Sequence, residues 1–206
     1  MPPNDTGINQ QCINFVRSSP SFPTLDCNMK NNNYREQLNL LSSYLDGSQI
    51  YGLNTTRSNW LRKKSNGQLR TSKGIKGTGR DYLPLNFDGG KLSDQCSLTN
   101  PSILCFVAGE SRTSENLGLT AMQTLFMREH NRIAFQLAGV NNNWSDDQLY
   151  NEARRILLGM YQHIIYNQFI PSVIGNNPNY PALYSLPLNN YFTGYDPTVN
   201  LLFFIL

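Results

Sequence analysis

The chain has 206 residues, of which 39% are hydrophobic, and a mean hydropathy of −0.42. These values exclude a disordered chain, and the length is sufficient for one domain with a buried core. The net charge of +3 argues against a dedicated nucleic-acid binder, and no apolar run is long enough to span a membrane. Composition therefore predicts a globular chain that binds neither nucleic acid nor a membrane.

Cysteines and glycosylation sequons indicate the compartment. The four cysteines fall into two close pairs, Cys12 with Cys27 and Cys96 with Cys105. Three sequons begin at Asn4, Asn54 and Asn143. Together they predict a secreted or lumenal glycoprotein with two local disulfides, and the alternative is four reduced thiols with chance sequons. The first residues do not form a signal peptide, so we expect the secretion signal to lie outside this chain.

The first half of the chain predicts little regular structure. Residues 1–33 are rich in Pro, Asn and Ser and are typical of an irregular loop held by a disulfide. Residues 54–95 begin with a basic stretch, because 54–80 holds eight of the 17 basic residues and no acid. Four glycines in that stretch predict a loop. A solvated surface loop is the plainer interpretation, and a patch that binds polyanions is the alternative.

Two long helices are predicted within residues 96–170, followed by a turn-rich end over 171–206. The first helix is indicated by apolar residues at helical spacing: Leu119, Met122, Phe126, Ile133 and Leu137. Thr120 and Gln123 could form its capping box, and Gly139 would end it. The second begins with the capping box of Ser145 and Gln148, and Pro171 would stop it. Its apolar stripe consists of Leu149, Ala153, Ile156, Met160 and Ile164.

Residues 34–52 form the next segment, and oxygen-bearing residues recur in its second part, 41–52. They are Ser42, Tyr44 through its carbonyl, Asp46 and Ser48. Calcium prefers such a mixture of hydroxyl, main-chain and carboxylate oxygens. Taken alone, however, Asp46 followed by Gly47 is more typical of an ordinary turn.

An arginine and a glutamate, Arg112 and Glu115, lie three residues apart just before the first long helix. A reaction in which negative charge develops on an oxygen needs a fixed donor at that atom. Arginine suits this role, because its guanidinium is permanently charged and its donors form a rigid fork. Without further context the two residues would be an exposed pair of little energetic value.

The two histidines of the chain, His130 and His163, fall within the predicted helices. A single helical histidine is more often a packing residue than a ligand, so we expect neither to bind a metal. Met122, Phe126 and Met127 could line a cofactor pocket, although the helix core is the plainer assignment.

Several segments together resemble the animal haem peroxidases, in particular the myeloperoxidase-, peroxidasin- and peroxinectin-like members. The matching segments occur in family order at residues 2–5, 12–18, 35–37, 41–52, 81–85, 105–109, 112–115 and 151–155. The resemblance implies a mainly α fold, the central part of the peroxidase helical domain, with a loop-rich N-terminal third and little β structure.

The resemblance also implies roles for individual residues. Arg112 matches the arginine on the distal side of the haem, and Glu115 matches a glutamate that lies at the haem edge and can form an ester with it. Asn116 stands where some members carry a methionine that makes a sulfonium link, so that link is excluded. Ser42, Tyr44, Asp46 and Ser48 match the calcium loop, whereas both histidines match structural positions.

The expected activity is haem-dependent oxidation of halide, phenolic or tyrosyl donors by hydrogen peroxide. In the family, the distal histidine precedes the segment matching residues 2–5, and the proximal histidine that binds iron follows the region matched here. The chain shows neither, so we interpret it as a partial domain that is inactive alone and whose partners are the missing parts. The alternative is a non-enzymatic secreted module with an adhesive or matrix role.

Overall fold

The computed structural model describes residues 40–42, 44–73, 80–85 and 105–175. All of these from residue 42 onward belong to one compact unit, Ser42–Leu206. The predicted loop over 1–33 and most of the predicted turn-rich end lie outside the described residues. The helices within these ranges are α1 (Ser48–Tyr51), α2 (Thr55–Leu61), α3 (Leu117–Val140), α4 (Asp146–Ile164) and α5 (Ile170–Ile174). Isolated bridges are the only β structure there, so the mainly α prediction is confirmed.

Helix α3 begins three residues before the predicted cap. The side chain of Asn116 accepts a hydrogen bond from the backbone N–H of Leu119 at 2.9 Å and so caps the helix. The Thr120 hydroxyl instead donates to the carbonyl of Thr113 at 2.7 Å. The predicted capping box of Thr120 and Gln123 is therefore wrong. The helix also runs one residue past Gly139 and ends where Asn141 N–H donates to the Leu137 carbonyl.

Helix α4 confirms its predicted start and corrects its predicted end. Ser145 and Gln148 form the reciprocal capping box. Pro171 does not stop the helical course, because a π-helical turn, Ile165–Phe169, leads from α4 into α5. Pro171 then lies in the first turn of α5, the part of a helix in which proline is tolerated.

The hydrophobic core lies between α1, α3, α4 and the segments that cross them. Its buried members are Ile50, Tyr51, Leu61, Leu69, Leu83, Val107, Ala108, Met127, Ile133, Ala134, Tyr150, Ala153 and Leu157. Of the predicted α4 stripe, Leu149 and Ala153 are buried, whereas Ile156, Met160 and Ile164 are 37%, 42% and 38% exposed. The core therefore occupies the first half of the predicted stripe.

The predicted stripe on α3 is only partly correct. Ile133 is buried and Phe126 packs against the core, but Met122 is 52% exposed. The inner face combines apolar side chains with polar ones such as Gln123 and His130. His130 makes two tertiary hydrogen bonds there, whereas the Gln123 side-chain oxygen is buried without a partner among the described residues.

The stretch predicted to be a basic loop contains a helix and a pinned hairpin. Helix α2 occupies its start and is capped by the Asn54 side chain. Residues 61–73, which we name the basic hairpin, then reverse direction, with Arg62 bridged to Leu69. Gly67 in its turn has a φ of 68°, and a Cβ there would lie 2.6 Å from the Leu149 Cβ. The hairpin is thus pressed against α4 at a position that only glycine fits.

Candidate active site

Arg112 and Glu115 lie in the turn that leads into α3. The backbone N–H of Glu115 donates to the carbonyl of Arg112 at 2.9 Å, which closes this turn. The Glu115 side chain is exposed. The two residues singled out from the sequence thus share one turn. We name the segment 108–115 the Arg112 turn.

The ion-pair partner of Arg112 is Glu110, which the sequence reasoning missed. The Nε of Arg112 donates to the Glu110 carboxylate. The side chain of Glu110 is only 9% exposed, whereas that of Arg112 is 35% exposed. A nearly buried carboxylate therefore holds a guanidinium that still reaches solvent. The available signal was an acid two residues before the arginine in the same segment.

A second missed residue, Arg57, anchors this turn from beneath. Its buried guanidinium donates to the carbonyl of Ala108 at 2.7 Å and to that of Glu110 at 3.1 Å. The Thr113 hydroxyl donates to the same Glu110 carbonyl at 2.7 Å. The carbonyls of Ala108 and Glu110 thus accept hydrogen bonds from a buried cation. From the sequence, Arg57 was one of eight basic residues in a predicted loop.

The Arg112 turn rests directly on α1. The N–H of Gly109 donates to the carbonyl of Gln49 at 2.9 Å. A Cβ at Gly109 would lie 2.6 Å from the backbone nitrogen of Gly52, so a side chain would force the two segments apart. Since α1 begins at Ser48, the structure joins the candidate calcium loop to the Arg112 turn.

The candidate calcium loop supplies ligands of the right kind but too few of them. Its side chains stabilise local turns: the N–H of Tyr44 donates to the Ser42 hydroxyl at 3.1 Å, and that of Ser48 to the Asp46 carboxylate at 2.9 Å. Calcium takes six to eight oxygens, and these four residues include one carboxylate. In the described ranges no three His, Cys, Asp or Glu residues cluster around a common point. The loop fits part of a calcium shell.

One side of α3 beside Glu115 is exposed and apolar. Leu117 is 89% exposed, Met122 52% and Leu125 55%, and the small residues Gly118 and Ala121 lie between them. Large apolar side chains and small ones thus share this exposed side of the helix. Of the other possible pocket residues, Met127 is 2% exposed in the core and Phe126 packs edge-on against Tyr161.

His130 is fully buried and both of its ring nitrogens are engaged. Nε2 lies 2.9 Å from the carbonyl of Gly67, so it donates, and Nδ1 therefore accepts from the hydroxyl of Tyr51 at 2.9 Å. Burial lowers the pKa of His130 to about 4 and raises that of Tyr51. The neutral imidazole is thus fixed in one tautomer and has no lone pair for iron.

His163 lies near the end of α4, far along the helix from the capping box. Its side chain is exposed, and its Nδ1 lies 3.1 Å from the side-chain nitrogen of Asn167. The apolar stripe predicted on α4 is itself partly exposed in this part of the helix, at Met160 and Ile164. Nothing in the described part of the chain brings this imidazole to the Arg112 turn.

The predicted modification sites are partly visible. The sequon residues Asn54 and Asn143 are exposed. Cys105 is disulfide-bonded and 8% exposed. Asn4, Cys12, Cys27 and Cys96 lie outside the described residues, so both predicted pairings stay predictions.

Comparison with known proteins identifies the family. The sequence profile of the animal haem peroxidases matches residues 1–204. Eosinophil peroxidase from Mus musculus is 42% identical over 205 residues, which cover 97% of this chain and 27% of that protein. Peroxidasin from Drosophila melanogaster is 35% identical over 209 residues, covering 97% of this chain and 13% of that protein.

Solved structures agree with this assignment. Peroxidase A from Dictyostelium discoideum superposes with a TM-score of 0.62 at 31% identity, covering 80% of this chain and 29% of that one. The chain thus spans about a quarter of the length of eosinophil peroxidase. Among the described helices, none has the length and apolar character needed to cross a bilayer. The chain belongs to the animal haem peroxidase family.

Proposed function

We propose that this chain supplies the arginine side of a haem peroxidase site, in which hydrogen peroxide oxidises a halide, phenolic or tyrosyl donor. The observation that carries the proposal is the Arg112 guanidinium, partly exposed and paired with the nearly buried Glu110. A fixed positive donor is what stabilises the charge that develops on a leaving oxygen. Family membership supports the identity of the cofactor.

The haem, when bound, supplies the redox chemistry. Arg112 presents donors toward peroxide, and Glu110 holds the guanidinium in place so that little reorganisation accompanies the reaction. Glu115 is exposed beside the apolar side of α3. We assign it to anchoring the haem edge, including a covalent ester. Met122 and Leu125 would cover part of the porphyrin face.

The described residues offer no imidazole placed for iron. His130 uses both nitrogens internally, and the only other histidine is His163. We therefore expect the 206-residue chain by itself to show no peroxide turnover, because iron lacks an axial ligand and peroxide lacks a base. A haem titration followed through the Soret band tests this. A stoichiometric Soret band with measurable turnover would overturn it.

The sharpest test of the parent activity is a chimera with a relative. The segment of mouse eosinophil peroxidase that aligns with this chain is replaced by residues 1–204, and peroxide-dependent oxidation of a phenolic donor is measured. We expect a haem-loaded, active chimera. A chimera that folds and binds haem but does not turn over would contradict the assignment.

Variants of the chimera then separate the roles. We expect Arg112→Gln to lower kcat by about 100- to 1000-fold, which is typical when one charge-stabilising donor is removed. Glu110→Gln should give a smaller loss, because the guanidinium is still present but less well held. Arg155→Gln, an exposed arginine paired with Glu152 on α4, is the matched control and should leave kcat unchanged.

Calcium binding at Ser42, Tyr44, Asp46 and Ser48 completes the proposed cofactor set. The loop leads into α1, which supports the Arg112 turn, so calcium would stabilise the site indirectly. We expect calcium to raise the Tm of the chimera, and Asp46→Asn to abolish that rise. Asp81→Asn, which changes an exposed carboxylate bonded to Thr71, should keep it. An equal calcium response in both variants would contradict the assignment.

Secretion as a disulfide-bonded glycoprotein is also proposed. Exposed Asn54 and Asn143 and the disulfide-bonded Cys105 support it. Expression in an animal secretory cell should give a product whose mass falls on enzymatic deglycosylation. Asn143→Gln should remove one mass step, and an unmodified wild-type product would contradict the proposal.

A further inference from the structure

An open groove lies along the basic hairpin, apart from the Arg112 turn. Its volume is about 670 Å³, and the side chains that matter here are Trp60, Lys63, Arg70, Thr71, Ser72 and Lys73. Lys63, Arg70 and Lys73 are exposed. Among the described residues, no carboxylate lies within ion-pair distance of these three cations. The groove therefore collects three cations that form no ion pair with a described residue, and the neighbouring carboxylate of Asp81 is bonded to the Thr71 hydroxyl.

The groove is held by a rigid support. The Asn131 side chain accepts from the N–H of Leu69 at 2.7 Å and donates to its carbonyl at 3.1 Å. The Gly67 carbonyl accepts a hydrogen bond from His130 Nε2 at 2.9 Å, and the Gly67 N–H donates to the Asp146 carboxylate at 2.7 Å. These buried contacts fix the hairpin backbone to α3 and α4. The cations on its outer side are thus carried by a fixed backbone, which lowers the entropy cost of binding a ligand.

The side chains that line the groove favour a chain with repeated anionic groups. Arg70 lies over the Trp60 ring at 5.3 Å, which keeps the guanidinium at the groove surface. Lys63 is oriented by a 2.7 Å bond to the Gln68 side chain. The hydroxyls of Thr71 and Ser72 are already donors to Asp81 and to the Leu83 carbonyl, so their oxygens remain as acceptors. The groove thus offers three cations together with two hydroxyl oxygens that can accept from neutral hydroxyl groups.

We infer that the groove of the basic hairpin binds an acidic polysaccharide, with Lys63, Arg70 and Lys73 contacting its sulfate or carboxylate groups. Single-stranded nucleic acid fits less well, because such sites stack successive bases on several aromatic rings. Here one indole lines the groove, and a guanidinium lies over it. This site is independent of the proposed peroxide chemistry.

The test is a binding titration of the full chain with a heparin oligosaccharide of defined length, over a series of salt concentrations. The double variant Arg70→Gln/Lys73→Gln should bind at least about tenfold more weakly, and its salt slope should fall by about one for each contact removed. The matched control, Arg132→Gln/Arg155→Gln, removes two exposed arginines on α3 and α4 and makes the same change in net charge. It should bind like the wild-type chain.

Trp60 gives a second readout that does not depend on affinity. In a Trp144→Phe background, Trp60 is the remaining tryptophan, and its emission should change when the oligosaccharide binds. Equal losses in both double variants, or unchanged binding in the groove variant, would overturn the proposal. Tighter binding of a single-stranded oligonucleotide at the same salt would also overturn it.

Discussion

The two sides of α3 depart from the usual pattern of an amphipathic helix, because the buried side mixes polar side chains with apolar ones and the exposed side carries large apolar ones. The inner side carries polar Gln123, Thr124 and His130, which are 3%, 6% and 0% exposed. The outer side carries Leu125 and Phe135, which are 55% and 71% exposed. The inner side is nevertheless the one that folds against α1, the basic hairpin and the Arg112 turn.

Specific hydrogen bonds account for the inner side. His130 and Asn131 together bind the backbone of the basic hairpin at Gly67 and Leu69. A buried polar group that finds a partner costs little, whereas one left unpaired is expensive. The bonds of His130 and Asn131 therefore stabilise this packing of α3 relative to arrangements that would bury the same groups without partners. The exposed apolar residues of the outer side are then available for a cofactor or another part of a peroxidase domain.

The largest expected effect is at the close contact beneath the Arg112 turn. Gly109→Ala places a methyl group against the α1 backbone, and we expect it to lower the free energy of unfolding by more than about 4 kcal/mol. Urea unfolding of the full chain measures this. Gly139→Ala is the control, since a Cβ there meets no atom within 4 Å. It should stabilise α3 by up to about 1 kcal/mol, and equal effects of the two changes would contradict the packing.

The two sides of α3 can be compared directly by truncating one side chain on each. Met127→Ala on the inner side should cost about 2–5 kcal/mol, because the surrounding core cannot fully collapse into the space. Leu125→Ala on the outer side should cost less than about 0.5 kcal/mol. Both are read from urea unfolding of the same chain. A larger loss for Leu125→Ala would mean that the outer side is covered in solution.

His130 predicts a pH dependence of stability. Its folded-state pKa of about 4 is below the usual 6.5 because of burial, so the unfolded chain binds the proton more readily between these values. The free energy of unfolding should therefore fall as the pH drops from about 6.5 to about 4, by about 3 kcal/mol in total. Neighbouring Tyr51, Tyr150, Arg62 and Arg154 are the other ionisable groups around the ring.

The control for this pH dependence is the second histidine. Urea unfolding at several pH values should show that His130→Gln loses the slope between pH 6.5 and 4, whatever its overall stability. His163→Gln, which changes an exposed side chain, should retain it. Persistence of the slope in His130→Gln would assign the dependence to another group.

The smallest of these effects concerns the link between α3 and the basic hairpin. Asn131→Ala removes both bonds to Leu69 and should cost about 2 kcal/mol, because two backbone groups lose their partner. Gln136→Ala on the outer side, where the exposed amide accepts from Arg132, is the control and should be nearly neutral. Hydrogen exchange at the Leu69 amide would show whether the hairpin is released first.

The sequence by itself determined the mainly α class, the start of α4 and the peroxidase family. These depend on local features: a capping box is formed by residues three apart, and family motifs are recognised as short strings. Arg112 and Glu115 were identified for the same reason, although their roles remain proposals. The capping box of Ser145 and Gln148 is an example of a local prediction that the structure confirms, because both of its hydrogen bonds are present.

Only the tertiary structure decided which side of α3 is buried and what holds Arg112. Arg57 and Gly109 act through contacts with backbone atoms that are distant in sequence, and no local pattern encodes such contacts. Glu110 is only two residues from Arg112, but its burial depends on the same tertiary packing. The predicted α3 stripe is only partly correct, because Met122 is exposed while the polar residue beside it, Gln123, is buried, a placement that hydrophobic spacing does not predict. His130 became a core residue only because Tyr51 and Gly67 arrive from other segments to satisfy both of its nitrogens.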